Sequence, residues 1–421
     1  MIPDFHSRPF ARLRKPELRL GLGLGVLAGG SNSGPAVTFD FLAESTFDSR
    51  IAFTRGSAAT RVNAAGIIET VGNNVPRFDY DPVTLEMRGL LIEEPRTNYL
   101  IQSEFADGLP ASRGPLVTAT TFAGLISGTG LAFGYDGTSS PYFYVTNYAV
   151  PASSPRVISI FARMDDGGAP AFGNNATQHP ANDFVFNLGG TVLAPTAANG
   201  GKVESYGGGL YRISLALTTS VAPGSSCGVI KYAANSARTF KVSGIMVEAG
   251  SFATSYIPTG ASTVTRAPDF PIVSGANFSG WFNPNEGAFV AEFESLGYSV
   301  QNMLLTASDG SNSNLIELRL PDAANTRVQY TSGGMLVASM THSTPVMGIV
   351  HGLGTTYKVD DFVSVLDGAA PLTDTAGTVP VGLDRLGIGH RNGTFFFNGH
   401  IRSITYYNRR LPNADLQRLT A

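Results

Sequence analysis

The 421-residue chain contains one cysteine, one tryptophan and six histidines, and only 14% of it is charged, with lysine scarce. The lone Cys227 rules out an intrachain disulfide, and with six scattered histidines it gives no pattern for a structural zinc site. In SSCGVIKY it reads as a small apolar strand residue. The formal net charge of −3 provides none of the concentrated basic surface that a nucleic-acid backbone demands, so no nucleic-acid partner is expected. No apolar run is long enough to span a bilayer, and no membrane span is expected. Arg8, Arg12, Arg14, Lys15 and Arg19 precede LGLGLGVLAGG, which superficially copies a secretory signal. Pro16 and Glu17 interrupt the charges, and glycine at every second position makes a poor helix. Residues 1–35 therefore read as a basic attachment peptide followed by a flexible Gly-rich linker.

Glycine and proline are abundant, at 49 and 25 residues, and aromatic residues make up 10%. That balance suits short strands joined by turns, with large side chains left for cores and contacts. Ordered structure is expected from AVTFDFLA onward. Tyr211, Ile213, Leu215 and Leu217 alternate with Arg212, Ser214 and Ala216, which predicts a strand with one buried face and one wetter face. VISIFARM (157–164) and TFKVSGIMVE (239–248) repeat the logic. Further on, Phe289, Ala291 and Phe293 share one face of another strand, and Pro412 to Leu419 fits a short terminal helix with Leu416 and Leu419 turned towards the body. The expected fold is all-β: tandem antiparallel β-sandwiches of jelly-roll, lectin-like type behind a short β- and turn-rich connector. The division is 36–98 connector, 99–268 first sandwich and 269–421 second sandwich, with Thr265 to Asp269 as the junction.

Residues 53–98 are dense in turns and polar groups. Val75-Pro76 and Asp81-Pro82 make a helix improbable there. Arg77, Asp79, Glu93, Glu94, Arg96 and Asn98 form either an ion-paired clamp fixing domain or subunit orientation, or a solvated charge cluster. Three pieces stand in order: Phe53-Thr54-Arg55 with Ala59-Thr60, then Val75 to Pro82, then Gly89 to Glu94 with Arg96-Thr97-Asn98. This segment resembles a module of bacteriophage virion proteins that leads into a lectin-like sandwich. YGGGLYRISLALT (206–218) and GIMVEAGSFATSYIPTGASTVTRAPD (244–269) are similar to later parts of the same sandwich, although Leu210 stands where those relatives usually carry tryptophan. Leu386 to Gly389, Phe397 to Ile401 and Tyr406 to Leu411 resemble a concanavalin/laminin-G-like jelly roll. The resemblance implies a virion protein on the particle surface, a spike or fibre subunit. It would attach to other virion proteins through its N-terminus, form a homotrimer or other homo-oligomer, and adhere to host surface polysaccharide.

No constellation for catalysis accompanies it. There is no H-E-x-x-H pair or P-loop. Glu292 and Glu294 lie two apart, but the third carboxylate of a laminarinase-type site is missing, and they read as a solvated face. His351, His390 and His400 read as isolated polar residues. Asp309, Asn312 and Asn314 offer oxygens for calcium or simply build a hairpin loop; no other cofactor is expected. For sugar binding the candidates are Tyr142, Tyr144 and Tyr148, on one face of an extended strand; core or subunit packing is the other reading of these rings. Trp281 is expected to pack under the second sandwich. The expected function is non-enzymatic adhesion. The alternatives are a capsule-depolymerising tailspike enzyme and a scaffold or decoration protein that binds only other virion proteins.

Overall fold

The computed structural model describes residues 34–43, 46–108, 110, 112–146, 155–217, 226–343 and 345–421. Arg8, Arg12, Arg14, Lys15, Arg19 and Tyr148 lie outside the described residues. The chain is all-β, and its strands are joined by antiparallel pairing into four large sheets that face each other as two sandwiches. In one sandwich a six-stranded sheet containing Arg156–Met164, Tyr211–Leu217 and Phe240–Ala249 faces a five-stranded sheet containing Tyr142–Thr146, Val185–Leu188 and Ser226–Ile230. Alternate residues of both sheets fill the space between them, with Ile160, Ile213, Phe143, Phe186 and Val229 fully buried. Phe133 stacks on Phe240 at 4.8 Å. Cys227 is part of this core, and burial pushes its thiol up.

The other sandwich pairs an eight-stranded with a seven-stranded sheet around Phe289, Phe293, Leu305, Leu318, Tyr330 and Tyr406. Phe289, Ala291 and Phe293 face this core, whereas Ala288 and Val290 face the other way and are covered by the terminal helix Asn413–Thr420 through Leu416. Trp281 packs on this core beside Phe278 and Tyr406, as expected. No helix among the described residues is long and apolar enough to cross a membrane.

The order of strands corrects the three-part division. Val37–Asp40, Phe78–Tyr80 and Met87–Ile92 belong to the eight-stranded sheet, where the first and last of these pair with Gly399–Tyr407. Ala52–Thr54 pairs with Phe270–Ser274 at one edge of the seven-stranded sheet. Most of the supposed connector is therefore built into the second sandwich, and residues 35–421 form one compact unit. The first sandwich is an insertion between strands of the second. The chain enters it along Arg96–Asn98 and leaves along Val264–Arg266, and these two segments pair with each other as a two-stranded neck. Sequence adjacency suggested a separate connector. Strand pairing between residues about 300 positions apart decides otherwise, because an edge strand lowers its free energy by satisfying its backbone groups wherever a partner is available.

One hairpin, Ala59–Val62 with Ile68–Val71, pairs with neither sandwich. It lies against the outer face of the six-stranded sheet, with Val62 and Ile68 packed among Phe161, Met246, Tyr256 and Ile257. This corrects the wetter face expected for Tyr211–Leu217. Arg212 and Ser214 are buried on it, because neighbouring parts of the chain cover that side of the strand as well.

Candidate functional site

The neck is closed by buried charge. Arg55, Arg77, Arg266, Glu93 and Asp269 are each less than a tenth exposed and lie in one continuous network. Asp269 binds Arg55 at 3.1 Å on one oxygen and Arg77 on the other. Glu93 accepts from Arg77 at 2.6 Å and lies 2.9 Å from Arg266. The Ser255 backbone N–H donates to the second oxygen of Glu93 at 2.7 Å. Further guanidinium donors reach main-chain carbonyls, Arg55 those of Ser57 and Gly72, Arg77 that of Thr60, and Arg266 that of Glu94, while the Nε groups of Arg77 and Arg266 are buried without a partner among the described residues. A planar fork with five donors can bridge carboxylates and carbonyls in a fixed plane, with more donors than the three of a lysine ammonium. Burial alone would raise the Glu93 carboxyl, but Arg266, Arg77 and Ser255 outweigh it and hold the group far below the usual carboxylate range. Burial opposes the charge on Arg77 too, yet Asp269 and Glu93 raise it above its ordinary value.

The sequence-derived clamp is partly the one observed. Arg77 and Glu93 belong to the network. Arg96 and Glu94 pair with each other at 2.5 Å beside it, with the Arg96 guanidinium 4.8 Å from the Phe252 ring centre. Gly250 has φ +143°, a backbone conformation that L side chains rarely adopt, and a Cβ there would also displace the Arg96 guanidinium. Asn98 carries no charge but is fully buried and joins four main-chain groups: it accepts from Leu100 and Val247 and donates to Ile245 and Ile257. Asp79 turns elsewhere, accepting from the Val62 N–H at 2.7 Å and lying 2.8 Å from His400 Nε2. Arg55, Arg266 and Asp269 were not singled out, although they stand in the FTR and VTRAPD pieces. The signal the sequence carries is an arginine preceded by threonine at the end of each of two strands, Ala52–Thr54 and Val264–Arg266.

His400 is not isolated, contrary to expectation. It is fully buried between Asp79 and Glu294, and Glu294 also binds Arg88. Burial would raise the Glu294 carboxyl, but His400 and Arg88 draw it down to about 2. Glu292 pairs with Arg402 at 2.9 Å and remains partly exposed, as expected of a solvated face, whereas Glu294 is buried. His390 is also buried. It stacks on Phe270 at 4.1 Å and donates from Nε2 to the Pro271 carbonyl, and burial lowers it to about 4 despite that bond.

Above the network lies a cleft of about 570 Å³ where the hairpin, the six-stranded sheet and one end of the second sandwich meet. Its floor includes Lys202, Glu204, Arg212 and Ser214, and Tyr80 and Tyr206 stand at its sides. Met347 and Gly348 reach it from the second sandwich.

The tyrosine candidates occupy a different surface. Phe143 points into the first core, so Tyr142 and Tyr144 share the outer face of the five-stranded sheet. Their rings stack at 4.9 Å with 30° between planes, both half-buried. Tyr232, Phe172 and Val192 extend the patch around Ile230 and Val185. Burial, together with Tyr232, raises the Tyr144 phenol above its ordinary value.

The Asp309 loop uses its own oxygens. Asp309 accepts from Ser311 and Asn314, and the Asn314 oxygen accepts from Gly333. Among the described residues no group of three or more histidines, cysteines, aspartates and glutamates is arranged to hold a metal ion.

No protein-family model matches the chain, and no curated protein matches it. Among solved structures, the chain is similar to the CBM40 of an IT-sialidase from Ruminococcus gnavus, with 17% identity, a TM-score of 0.30, and 33% of this chain and 84% of that one covered. It is also similar to domain 4 of AbnA, a GH43 extracellular arabinanase from Geobacillus stearothermophilus, with 11% identity, a TM-score of 0.31, and 40% and 82% covered. A NanB sialidase from Streptococcus pneumoniae is similar at 13% identity and a TM-score of 0.31, with 35% of this chain and 26% of that one covered. At these scores the similarities carry no argument about what the chain binds.

Proposed function

We propose that the chain is a non-enzymatic structural subunit of a tailed-phage or phage-like particle, a spike or fibre component that binds host surface polysaccharide. The observation that carries the adhesive reading is the stacked Tyr142–Tyr144 pair on the outer face of the five-stranded sheet, with Tyr232 beside it. Such a surface offers ring faces to the apolar sides of sugars and phenol groups to their hydroxyls. The virion setting rests on the resemblance of the FTR, VPRFDYDP, GLLIEE and VTRAPD pieces to phage proteins. The N-terminal basic peptide would attach the subunit to other virion proteins. Homotrimers displayed in many copies would turn weak individual sites into avid attachment.

The state of the carboxylates supports a non-enzymatic reading. The general acid of a glycosidase has a raised pKa, whereas Glu294 is drawn down to about 2 and Glu93 is held far below the usual carboxylate range; Glu248, which burial does raise, is fully enclosed and accepts from Thr254.

Incubating the purified full chain with host surface polysaccharide tests the reading. Binding without release of oligosaccharide is expected, and the Tyr142→Ala/Tyr144→Ala variant should weaken it sharply. Release of oligosaccharide would instead establish a depolymerase. If no polysaccharide binds and deletion of the gene strips a neighbouring component from the particle, the scaffold role replaces adhesion. Electron microscopy of particles carrying a labelled subunit checks the surface location.

A further inference from the structure

The cleft at the neck is separate from the tyrosine face, and the adhesive reading leaves it unused. Its floor is one face of the six-stranded sheet. Strand register sets Lys202 opposite Ser214 and Glu204 opposite Arg212, and then Arg212 opposite Phe161. Lys202 and Glu204 are exposed, one cation beside one anion. The deeper charges are already matched: Arg61 with Glu69 at 2.7 Å, Arg88 with Glu294, and Glu93 with Arg77 and Arg266. On the floor Arg212 donates to the Thr254 carbonyl and the Ser159 hydroxyl, and Asp81 accepts from the Val83 and Thr84 N–H groups, so the charges of the lining largely engage the protein itself.

The cleft offers rings and hydroxyls instead. Tyr80 and Tyr206 are half-buried at its sides, and Tyr206 is braced edge-on against Phe161 at 5.1 Å. Ser205 and Ser251 add hydroxyls. On the second sandwich Met347, 44% exposed, faces the cleft, with Val346 and Ile349 exposed next to it. Three exposed apolar side chains within four residues do nothing for the core, and clusters of this kind mark contact surfaces.

We propose that this cleft is a binding site for a neutral oligosaccharide. The sugar's C–H faces lie against Tyr80, Tyr206 and Met347, and its hydroxyls exchange hydrogen bonds with Lys202, Glu204 and Ser214. A chain of sugars combines apolar faces with many hydroxyls and brings no formal charge, which is the combination the lining matches. Because the walls come from both sandwiches and the hairpin, the site exists only when the neck is closed.

Isothermal titration of the full chain tests this, with hexasaccharides of glucose, mannose and galactose as neutral probes and hexagalacturonate as the acidic one. At least one neutral probe is expected to bind more tightly than hexagalacturonate. The Lys202→Ala/Glu204→Ala variant, altered only on an exposed edge strand, should unfold at an unchanged temperature and weaken that binding by about tenfold or more. Met347→Ala should weaken it less, and Tyr142→Ala/Tyr144→Ala should leave it unchanged. Unaltered affinity in the Lys202/Glu204 variant, tighter binding of hexagalacturonate, or binding by no neutral probe overturns the proposal. Binding that responds only to the tyrosine pair overturns it while leaving the adhesive face intact.

Discussion

The neck and the sandwich interiors are both dry, yet they are held by opposite chemistry. Between the sheets, Phe133, Phe240, Leu318 and Phe289 exclude water through apolar contact, which is non-directional and tolerates many combinations of similar volume. At the neck, three arginines and two carboxylates sit where water is equally absent. Buried ion pairs do not stabilise cheaply, because desolvating the charges offsets much of their attraction. They are directional, however: Asp269 meets Arg55 and Arg77 together only when the three segments that carry them are correctly placed. Apolar packing therefore supplies most of the stability, and the charges fix the register in which one sandwich emerges from the other.

The largest effect that would break this contrast is removal of one partner at the neck. Arg77→Ala should destabilise the protein by about 3–5 kcal/mol in urea unfolding, because it leaves Glu93 and Asp269 buried with too little compensation. Replacing Arg55 and Arg77 by methionine and Asp269 by leucine together, which leaves Glu93 paired with Arg266, should cost less; an equal loss would show that the charges contribute net stability as well as register. In the core, Leu318→Ala should cost about 3 kcal/mol through the cavity it leaves, with no corresponding rescue by a second substitution.

Acid should separate two regions next. His390 is lowered to about 4 by burial, so the unfolded chain takes up its proton first, and stability falls as pH drops from about 6.5 towards 4. Glu294 is depressed to about 2, so its contribution is complete above about pH 4.5 and is lost as pH falls through about 2. Urea midpoints measured against pH should show both phases, with His390→Gln diminishing the upper and Glu294→Gln diminishing the lower, where Glu93 also contributes. The smallest effect on stability is expected at the tyrosine face: Tyr144→Ala should cost below about 1 kcal/mol, while binding of polysaccharide, measured by co-sedimentation, falls sharply.

Much of this was legible in the chain. Alternation placed Tyr211–Leu217 and the strand carrying Phe289, Ala291 and Phe293, because a two-residue period is a local property of extended backbone. The unusual density of charge and turns in residues 53–98 marked a specialised region, and Arg77 and Glu93 proved to be paired within it. Local reasoning stopped at Asp79 and Asn98, whose partners His400 and Val247 lie far along the chain, and it assigned Arg212 to a wet face that other segments cover.

By itself, then, the sequence determined the kind of protein: glycine, proline and alternating apolar residues commit it to antiparallel sheets, and a lone cysteine leaves burial rather than disulfides to stabilise them. Only the tertiary structure decided that one sandwich is inserted into the other and that the FTR, VPR, GLLIEE and VTRAPD pieces are the four sides of one lock. The reason is physical. Strand period depends on neighbours in sequence, whereas Arg55 and Asp269 are 214 residues apart and acquire a partner only once the chain has closed on itself.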